Sequence, residues 1–331
     1  MNDKKWNPGK LLEVSGAYWQ TCTLHAGVKL DLFTELGGLR LRAEQLAESR
    51  GLDTRALAML LDALAAMGLL VKSGETYSNT PDALTYLSAE SPDYVGHMIL
   101  HHHHLVASWS RLDEAVRSGR PVREKSVFSD EERRKRFLMG MFNNAMLLAP
   151  GLVPEVDLSG CRRLLDLGGG PGTYAIHFCR HNPGLTAVVY DLPATRPFAE
   201  ETIARFGLAD RISFAEGDYH GDPVPGGFDA AWLSHVLHAE GPADSRNILK
   251  KAAAALAPGG RVLVHDFILD DTRDRPLFPA LFSLNMLLGT EKGQAYSEGE
   301  IVDMMAAAGF SKIRRLGYRG PTASGIVAGK R

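Results

Sequence analysis

Five short apolar runs in the second half of the chain constrain its fold more than any other feature. Stretches with helical spacing separate the runs, which are LLDLG (164–168), TAVVYDL (186–192), RISFAEGD (211–218), FDAAWLSHVL (228–237) and GRVLVHDFIL (260–269). Strands that alternate with helices form a parallel sheet with helices on both faces. We therefore predict an α/β domain with a doubly wound, Rossmann-like sheet.

The end of the chain adds two further strand candidates, KIRRLGY (312–318) and SGIVAGK (324–330). The loop between them contains Gly320 and Pro321 and is too short for a helix, so the two strands must pair antiparallel. A sheet that finishes in an antiparallel hairpin is not the usual dinucleotide-binding fold.

The first half of the chain has helical spacing. The pattern predicts helices over Leu24–Leu36 and Arg42–Arg50, and a third helix that Asp53 caps. Its apolar face comprises Leu57, Leu60, Leu61, Leu64 and Met67. The segment LLVKSGETYSNT then predicts a hairpin around residues 72–75. An all-helical domain with a hairpin wing is the winged-helix order, and we predict it for residues 1–100, with connecting helices over 101–155 and the sheet domain over 156–331.

A winged helix raises the possibility of DNA binding. The third helix, however, carries one basic residue, Arg55, between Asp53 and Asp62. Binding in a DNA groove needs side chains that neutralise phosphates and read bases. The helix is mostly apolar, which suits a subunit interface. A DNA-binding regulator is therefore the functional hypothesis that we favour least.

The glycine cluster in LLDLGGGPGTY (164–174) predicts a cofactor loop. Glycines stand at 168, 170 and 172, but the dinucleotide fingerprint would place its third small residue at Thr173. Asp166 before the loop disfavours a pyrophosphate and favours a cationic cofactor such as S-adenosylmethionine. Acids also follow the next two strands: Asp191 could accept ribose hydroxyls, and Asp218 with Tyr219 could hold the adenine.

These segments resemble the O-methyltransferases of the caffeic acid and hydroxyindole type. The stretches LLDLGGGPG, VVYDLP, AEGDY, LSHVLH and LAPGGRVLVHDFIL follow the order and spacing of that family over nearly the whole chain. The resemblance implies a winged-helix dimerisation domain, a homodimer and S-adenosylmethionine as cofactor, released as S-adenosylhomocysteine. The cofactor-binding residues that we expect are Asp166, Gly168, Gly170, Gly172, Asp191, Leu192, Asp218, Tyr219 and Ser234.

The resemblance also implies catalytic residues. The family's general base matches His238, and the acid that orients it matches Asp266. Three residues depart from the family: Ala239-Glu240 replaces its Asp-Trp pair, and Ala295 stands where it has a second acid. We therefore favour methyl transfer to a hydroxyl, and keep as the alternative a relative that binds S-adenosylmethionine but catalyses hydroxylation, decarboxylation or cyclisation.

Two segments rich in Phe, Met and Leu, 136–148 and 277–288, have a composition that is usual for a protein core. In the resembled family both segments and the helix near Trp109 line the acceptor pocket, and flexible methionine side chains suit flat, bulky ligands. The resemblance therefore implies an apolar, aromatic acceptor. The pocket residues that we expect are Trp109, Met139, Phe142, Asn143, Met146, Phe282, Asn285 and Met286. The run His101–His104, with His97 one turn earlier, could face one side of a helix. We expect that helix to lie near the pocket and expect no metal there.

The composition points to the cytoplasm. The net charge is −2, which gives no global indication of a nucleic acid or membrane partner, and the three cysteines have no paired or metal-type spacing. The first residues, MNDKKWNPGK, lack the apolar core of a signal peptide, and Asp62 interrupts the apolar run over residues 56–71. We expect a small-molecule aromatic acceptor and a second copy of the chain as partners, with no nucleic acid and no membrane.

Overall fold

The structure is a computed structural model that describes residues 5–123 and 131–331. The chain divides into two units, Met1–Leu105 and Val106–Arg331. Most of the expected connecting segment, 101–155, falls within the second unit, and the domain bounds that we expect stay a prediction. All three cysteines of the chain are free thiols. The cytoplasmic location that we expect stays a prediction.

The first unit is built mainly of helices. In chain order they are α1 (Pro8–Gly16), α2 (Tyr18–Lys29), α3 (Leu32–Leu36), α4 (Ala43–Arg50), α5 (Thr54–Ala66), α6 (Pro81–Leu87) and α7 (Gly96–Trp109), the last of which continues into the second unit. Asp53 caps α5 as expected, because its carboxylate accepts a hydrogen bond from the backbone N–H of Ala56 at 2.8 Å. The expected continuous helix over residues 24–36 is wrong: the chain breaks at Asp31, whose φ is +58°.

A small three-stranded sheet completes this unit. Its strands are β1 (Leu41–Arg42), β2 (Leu70–Ser73) and β3 (Thr76–Asn79), and β3 pairs antiparallel with both others. The predicted hairpin wing is thus confirmed, and β1 adds a short third strand. The apolar side of α5 points inward, with Leu57, Leu61 and Leu64 buried.

The second unit contains an eight-stranded sheet. Its strands are β4 (Arg163–Leu167), β5 (Thr186–Asp191), β6 (Ile212–Glu216), β7 (Phe228–Ser234), β8 (Leu256–Leu269), β9 (Tyr296–Ser297), β10 (Ser311–Arg315) and β11 (Ser324–Lys330). Along the sheet the order is β10, β11, β8, β7, β4, β5, β6, while β9 pairs with the far end of β8. Strands β4 to β8 are parallel, as the alternation of apolar runs and helices predicts.

The helices of the second unit cover both faces of this sheet. They are α8 (Leu112–Ser118), α9 (Glu131–Leu152), α10 (Thr173–His181), α11 (Arg196–Arg205), α12 (Pro242–Ala255), α13 (Leu277–Gly289) and α14 (Glu298–Ala307). Two apolar clusters fill the layers, one around Trp232 and Phe178 and the other around Tyr190 and Phe228. The doubly wound fold is confirmed.

The C-terminal hairpin is confirmed as well. Strand β10 pairs antiparallel with β11, from Ser311 opposite Lys330 to Arg315 opposite Val327. Strand β11 then lies antiparallel between β10 and β8, where Ser324 pairs with Phe267. The hairpin thereby covers the edge of the parallel sheet beside the strand that carries Asp266.

The strand order creates one position where a ligand is expected. The chain leaves β4 toward β5 on one side and returns to β7 on the other. Ligands of open α/β sheets bind at the carboxyl ends of strands where the order reverses in this way. The loops after β4, β5 and β7 therefore meet at one place.

Helix α9 is long and apolar. Together with the following turn, residues Glu131–Glu155, it is the helix within the described part of the chain whose length and composition would allow it to cross a membrane. Of its most apolar 18-residue stretch 44% is buried within the protein, and the core helix of a globular protein meets the same criteria. Its inward face, which includes Leu138, Ala145 and Leu152, belongs to the protein core.

Candidate active site

The glycine loop connects β4 to α10 with three left-handed residues. The φ angles of Gly168, Gly170 and Gly172 are +70°, +53° and +76°, values that residues with a Cβ rarely adopt. A Cβ on Gly168 would lie 2.8 Å from Cγ2 of Val236. Glycine at these positions therefore sets the backbone turn and leaves the loop open for close approach of a ligand.

Asp166 lies beneath this loop rather than at its surface. The residue is 1% exposed, and its Oδ2 accepts a hydrogen bond from the backbone N–H of Ala175, in the first turn of α10. Within residues 5–123 and 131–331 its Oδ1 has no hydrogen-bond partner. Burial raises the pKa of Asp166 to about 7. Asp166 packs beneath Gly169 and supports the loop, and its direct contact with a cofactor stays a prediction.

Asp191 at the end of β5 faces the same loop. Its Oδ2 accepts a hydrogen bond from the backbone N–H of Gly170 at 2.8 Å. Its Oδ1 accepts from the N–H of Leu192 at 2.7 Å and from the Thr195 hydroxyl at 3.1 Å. Burial raises the pKa of Asp191, although these hydrogen bonds oppose the rise. A carboxylate has about four acceptor positions, so Oδ2 can still accept a ligand hydroxyl.

Tyr219 follows β6 and lies against the loop, since a Cβ on Gly168 would be 3.7 Å from the Tyr219 ring. Its hydroxyl donates to Oε1 of Glu240 at 3.1 Å. Glu240 is one of the positions that departs from the resembled family, and here it holds the tyrosine. Asp218 is exposed, and its Oδ1 accepts from the backbone N–H of His220 at 2.8 Å.

These residues fit an adenosyl cofactor. A Cβ on Gly168 or Gly172 would come within 2.8 or 3.1 Å of a neighbouring side chain, and the half-buried Asp191 is an acceptor that is bonded to the loop. Asp166 adds a buried oxygen without a partner among the described residues. The loop therefore has room, acceptors and negative charge for a cationic ligand with free hydroxyls.

His238 and Asp266 form a hydrogen-bonded pair at the neighbouring strand ends. His238 sits in the 3-10 turn Leu237–Ala239 after β7, and Asp266 sits on β8. Nδ1 of His238 lies 2.6 Å from Oδ1 of Asp266, and the backbone N–H of Phe267 donates to the same oxygen at 2.8 Å. A carboxylate only accepts, so Nδ1 carries the proton and Nε2 of the neutral ring is an acceptor.

Asp266 is held in its charged form. Burial alone would raise its pKa, but the hydrogen bond from His238, the positive charge that His238 carries when protonated and the nearby His235 ring outweigh burial and hold the pKa of Asp266 far below its ordinary value. The side chain is only 3% exposed, so this carboxylate is shielded from solvent. It can therefore both orient the His238 ring and stabilise a positive charge on it.

His235 is a second histidine beside the same carboxylate. Its Nδ1 lies 3.6 Å from Oδ1 of Asp266, and its φ of +58° turns the chain sharply after β7. Burial lowers the pKa of His235, so the ring is neutral.

A third histidine, His265, lies behind His235. Its Nδ1 lies 2.9 Å from the Ser234 hydroxyl, and burial holds the pKa of His265 well below its usual value. Ser234, expected at the cofactor, is thus bonded to a buried histidine.

His235, His238 and Asp266 also bring three potential metal ligands within 4.8 Å of one another. From the sequence we expected no metal. Among the described residues, the histidines at 97 and 101–104 do not belong to a cluster of three potential ligands of this kind. In that run His103 contacts Lys29 Nζ at 3.1 Å and the ring of His25 at 5.6 Å. The 2.6 Å separation of His238 Nδ1 and Asp266 Oδ1 is that of a short, charge-assisted hydrogen bond.

Aromatic rings surround His238. The Phe282 ring on α13 lies 4.8 Å from the His238 ring, and Phe267 stacks on it at 6.0 Å. Phe278 contacts Phe267 at 4.9 Å and Phe282 at 6.1 Å. Met286, one turn beyond Phe282, is buried. Phe282 thus lies beside His238, and its place in the acceptor pocket stays a prediction.

Two expected pocket residues contact neighbouring helices of the second unit. Phe142 is 5% exposed and packs 6.3 Å from the Phe206 ring, with the Arg205 guanidinium above it. The half-buried Met146 contacts Nε2 of His177 on α10 at 3.4 Å. This face of α9 therefore packs on α10 and on the end of α11, and the place of both residues in the acceptor pocket stays a prediction.

The remaining expected residues are partly exposed. Trp109 ends α7, Met139 and Asn143 lie on α9, and each is half-buried. Asn285 is also half-buried, and its side-chain oxygen accepts from Nη2 of Arg123 at 2.7 Å. Sequence reasoning missed Arg123, since a single arginine in a polar segment carries no pattern.

The comparisons with known proteins agree in both halves of the chain. Residues 109–311 match the family of the O-methyltransferase domain, and residues 12–89 match that of the O-methyltransferase dimerisation domain. A 3-hydroxy-5-methyl-1-naphthoate 3-O-methyltransferase from Streptomyces sahachiroi is 37% identical over 97% of this chain and 95% of its own length. A tetracenomycin polyketide synthesis 8-O-methyl transferase from Streptomyces glaucescens is 36% identical over 95% of this chain and 94% of its own.

A solved structure gives the same result. Human N-acetylserotonin methyltransferase in complex with S-adenosylmethionine is 25% identical, with a TM-score of 0.88 over 100% of this chain and 99% of that one. All three proteins are methyltransferases by name, and none is named for hydroxylation, decarboxylation or cyclisation. A domain match over more than half of the chain, and relatives above 30% identity along almost all of it, show that the chain belongs to the S-adenosylmethionine-dependent O-methyltransferase family.

Proposed function

We propose that this chain methylates a hydroxyl of an apolar, aromatic small molecule, with His238 as general base and Asp266 as its positioning residue. The observation that carries the proposal is the 2.6 Å hydrogen bond between His238 Nδ1 and Asp266 Oδ1. It leaves Nε2 as the acceptor on the ring that the aromatic side chains surround. When bound, S-adenosylmethionine supplies a methyl group that its sulfonium has already activated.

The protein itself must remove the proton of the acceptor hydroxyl. A phenol has a pKa near ~10 and an imidazole near ~6.5, so complete proton transfer before the reaction is uphill by about 5 kcal/mol. His238 Nε2 instead takes the proton while the oxygen forms its new bond, and Asp266 stabilises the resulting imidazolium. A positioned base of this kind contributes about 10²–10⁴-fold to the rate.

The surroundings of His238 support an aromatic acceptor. Phe267, Phe278 and Phe282 form connected ring contacts beside it, and such rings pack well on flat ligands. The relative from Streptomyces sahachiroi is named for a hydroxynaphthoate acceptor, and the one from Streptomyces glaucescens for a polyketide. A fused aromatic ring carrying a hydroxyl is therefore the acceptor class that we propose.

The cofactor would bind across the carboxyl ends of β4 to β7. Asp191 would accept the ribose hydroxyls, and Tyr219 would pack on the adenine from its place beside the glycine loop. We further propose direct contacts from Leu192, Asp218 and Ser234, and from the backbone of Gly168, Gly170 and Gly172. Asp166 would act by holding the loop.

We also propose that the protein is a homodimer through its first unit. Helix α1 has no buried residue, and Trp6, Leu12 and Trp19 are 61%, 71% and 69% exposed in the single chain. Apolar side chains at this density need cover, and aromatic residues are enriched at subunit interfaces. The match to a dimerisation domain over residues 12–89 supports the same assembly.

The test of the base is turnover with methyl-labelled S-adenosylmethionine and a series of naphthols of different pKa. His238→Ala should lower kcat by about 10²–10⁴-fold for the most basic naphthols and much less for acidic ones. Replacing the exposed His181 by alanine is the matched control and should change nothing. If the loss stays under about tenfold for every naphthol, His238 is not the base, and consumption of cofactor without a methylated product would favour the non-methylating alternative.

A further inference from the structure

The main chain of Glu240 is fixed independently of its side chain. Its N–H donates to the carbonyl of Leu237 at 3.0 Å, and its carbonyl accepts from the Tyr296 hydroxyl at 2.5 Å. The turn is also closely packed at His238, since a Cβ on Gly293 would come within 2.5 Å of the His238 carbonyl oxygen. Contacts to the main chain therefore hold the turn that carries His238, and they do not use the Glu240 carboxylate.

The Glu240 carboxylate instead contacts two side chains that follow β6. Its Oε1 accepts a hydrogen bond from the Tyr219 hydroxyl at 3.1 Å, and Nε2 of His220 lies 3.1 Å from the same oxygen. The Glu240 side chain is only 15% exposed, so water competes little for these contacts. Burial, and then the charge of Glu240, raise the pKa of Tyr219, which keeps the phenol protonated. The hydrogen bond therefore has one fixed direction, from Tyr219 to Glu240.

Tyr219 lies where the loops after two strands meet. The backbone N–H of Gly217, two residues before it, donates to the carbonyl of Asp191 at 3.0 Å. The carboxylate of Asp191 in turn accepts from the N–H of Gly170 at 2.8 Å, within the glycine loop. A Cβ on Gly168 would lie 3.7 Å from Cε1 of Tyr219, which is van der Waals contact. The ring therefore borders the glycine loop next to Asp191.

We propose that Glu240 is a positioning residue for the cofactor, which holds the Tyr219 ring against the glycine loop where that ring packs on the adenine. Glu240 acts through Tyr219 and needs no contact of its own with the cofactor. Ordering the ring before binding removes a cost in side-chain entropy that the ligand would otherwise have to offset. The tryptophan of the resembled family could not accept this hydrogen bond. The inference rests on the proposed function, since it assigns the residue that prepares the same cofactor site.

A purely structural role would have different consequences. Glu240 is two residues from His238, so a side chain that only stabilised this turn would act on the base, and its removal would lower kcat. A side chain that positions Tyr219 acts on cofactor binding, so its removal raises KM for S-adenosylmethionine and leaves kcat nearly unchanged. The division of the loss between kcat and KM separates the two roles.

The experiment is calorimetry of S-adenosylhomocysteine with the full-length protein, in a double-mutant cycle of Glu240→Ala and Tyr219→Phe. Each single change should weaken binding about 3–10-fold, the range for leaving one such side chain unordered. The two changes together should weaken it no more than either alone, because both break the same hydrogen bond. Glu240→Gln keeps an acceptor and should restore most of the affinity. Glu201→Ala, which removes an exposed glutamate on α11, is the matched control.

Steady-state methylation of 2-naphthol gives the second measurement. Glu240→Ala should raise KM for S-adenosylmethionine by the same factor and change kcat by less than about twofold. Thermal unfolding checks that each variant is folded. Tyr219→Phe removes a single oxygen atom, so it carries the same test if Glu240→Ala does not fold. A loss in kcat with KM unchanged would refute the positioning role.

Tyr219→Ala separates this inference from the proposed function. It removes the ring and should weaken S-adenosylhomocysteine about 10–100-fold, the range of base stacking on an aromatic side chain. If it does so while Glu240→Ala binds as wild type does, or if the losses from Glu240→Ala and Tyr219→Phe add, the positioning role is refuted and the cofactor site stands. If Tyr219→Ala also binds as wild type does, the adenine lies elsewhere and the positioning role is refuted with that assignment. If the cycle behaves as expected but no naphthol is methylated, the methylation proposal fails and the positioning role stands.

Discussion

Replacing Asp266 by asparagine tests the His–Asp pair with the smallest change of shape. The carboxylate of Asp266 accepts from three donors: His238 Nδ1 at 2.6 Å, the N–H of Phe267 at 2.8 Å and the N–H of His238 at 3.3 Å. An amide has one oxygen and one NH₂ group. Whichever way the amide is turned, its NH₂ group must face at least one of these donors.

The magnitude follows from that arrangement. Losing the charged acceptor of a hydrogen bond costs about 1.5–3 kcal/mol, which is about 10–150-fold in rate if it stabilises the imidazolium. If the NH₂ group faces His238, the ring must present Nδ1 as acceptor and carry its proton on Nε2, where it can no longer act as a base. We therefore expect kcat to fall by about 10²-fold or more, with cofactor affinity nearly unchanged because Asp191 lies on another strand.

The assay is steady-state methylation of a basic naphthol, together with calorimetry of S-adenosylhomocysteine. Asp303→Asn on α14 is the matched control, since that aspartate is exposed and should leave both measurements unchanged. Thermal unfolding of both variants checks that the loss of turnover does not come from loss of the fold. A fully folded Asp266→Asn protein with turnover within about threefold of wild type would refute the role that we assign to the pair.

Three further outcomes are expected. Asp191→Ala should weaken S-adenosylhomocysteine by about 1.5–3 kcal/mol in calorimetry, and NAD should show no comparable binding; tight NAD binding would contradict the cofactor assignment. The folded-state pKa of Asp166, about 7, lies above its unfolded value of about 3.9, so without ligand the free energy of unfolding should fall by a few kcal/mol as the pH rises from about 4 to 7. Asp166→Asn should remove the larger part of that fall in urea titrations, leaving the contribution of Asp191, whose pKa burial also raises, and an unchanged slope would contradict the burial argument. Light scattering should give twice the mass of one chain, and a stable monomer at micromolar concentration would exclude the dimer that we propose.

Much of the fold is determined by local pattern. The apolar runs of β4 to β8 are strands because both faces of a parallel sheet are buried, and their spacing leaves room for one helix each. Asp53 caps α5 through a bond to a residue only three positions away. Both hairpins follow from connections too short for anything else, so these features needed no knowledge of distant contacts.

Part of the site was equally predictable. The carboxyl ends of neighbouring parallel strands lie at one edge of the sheet, so acids after β4 and β5 and a histidine after β7 must come close together. Asp191 indeed reaches the N–H of Gly170, and His238 reaches Asp266. The strand order could not determine how the side chains are oriented. The Asp166 carboxylate lies beneath the loop, and the Ser234 hydroxyl bonds to His265.

The remaining features depend on tertiary packing. Helical spacing places Phe142 and Met146 on one side of α9 but does not say which neighbour covers that side, and α10 and α11 do. The break at Asp31 is not signalled by an apolar pattern, which continues across it. The contacts of Arg123 with Ser108 and Asn285 could not be predicted from the sequence, because Asn285 is distant along the chain and no pattern links the three residues.

The sequence by itself determined the periodic helices and strands and the edge of the sheet at which the strand ends meet, since both depend on local geometry. The tertiary structure decided which side chains are shielded from water and which donors face which acceptors, because burial and hydrogen bonding depend on residues that are distant along the chain.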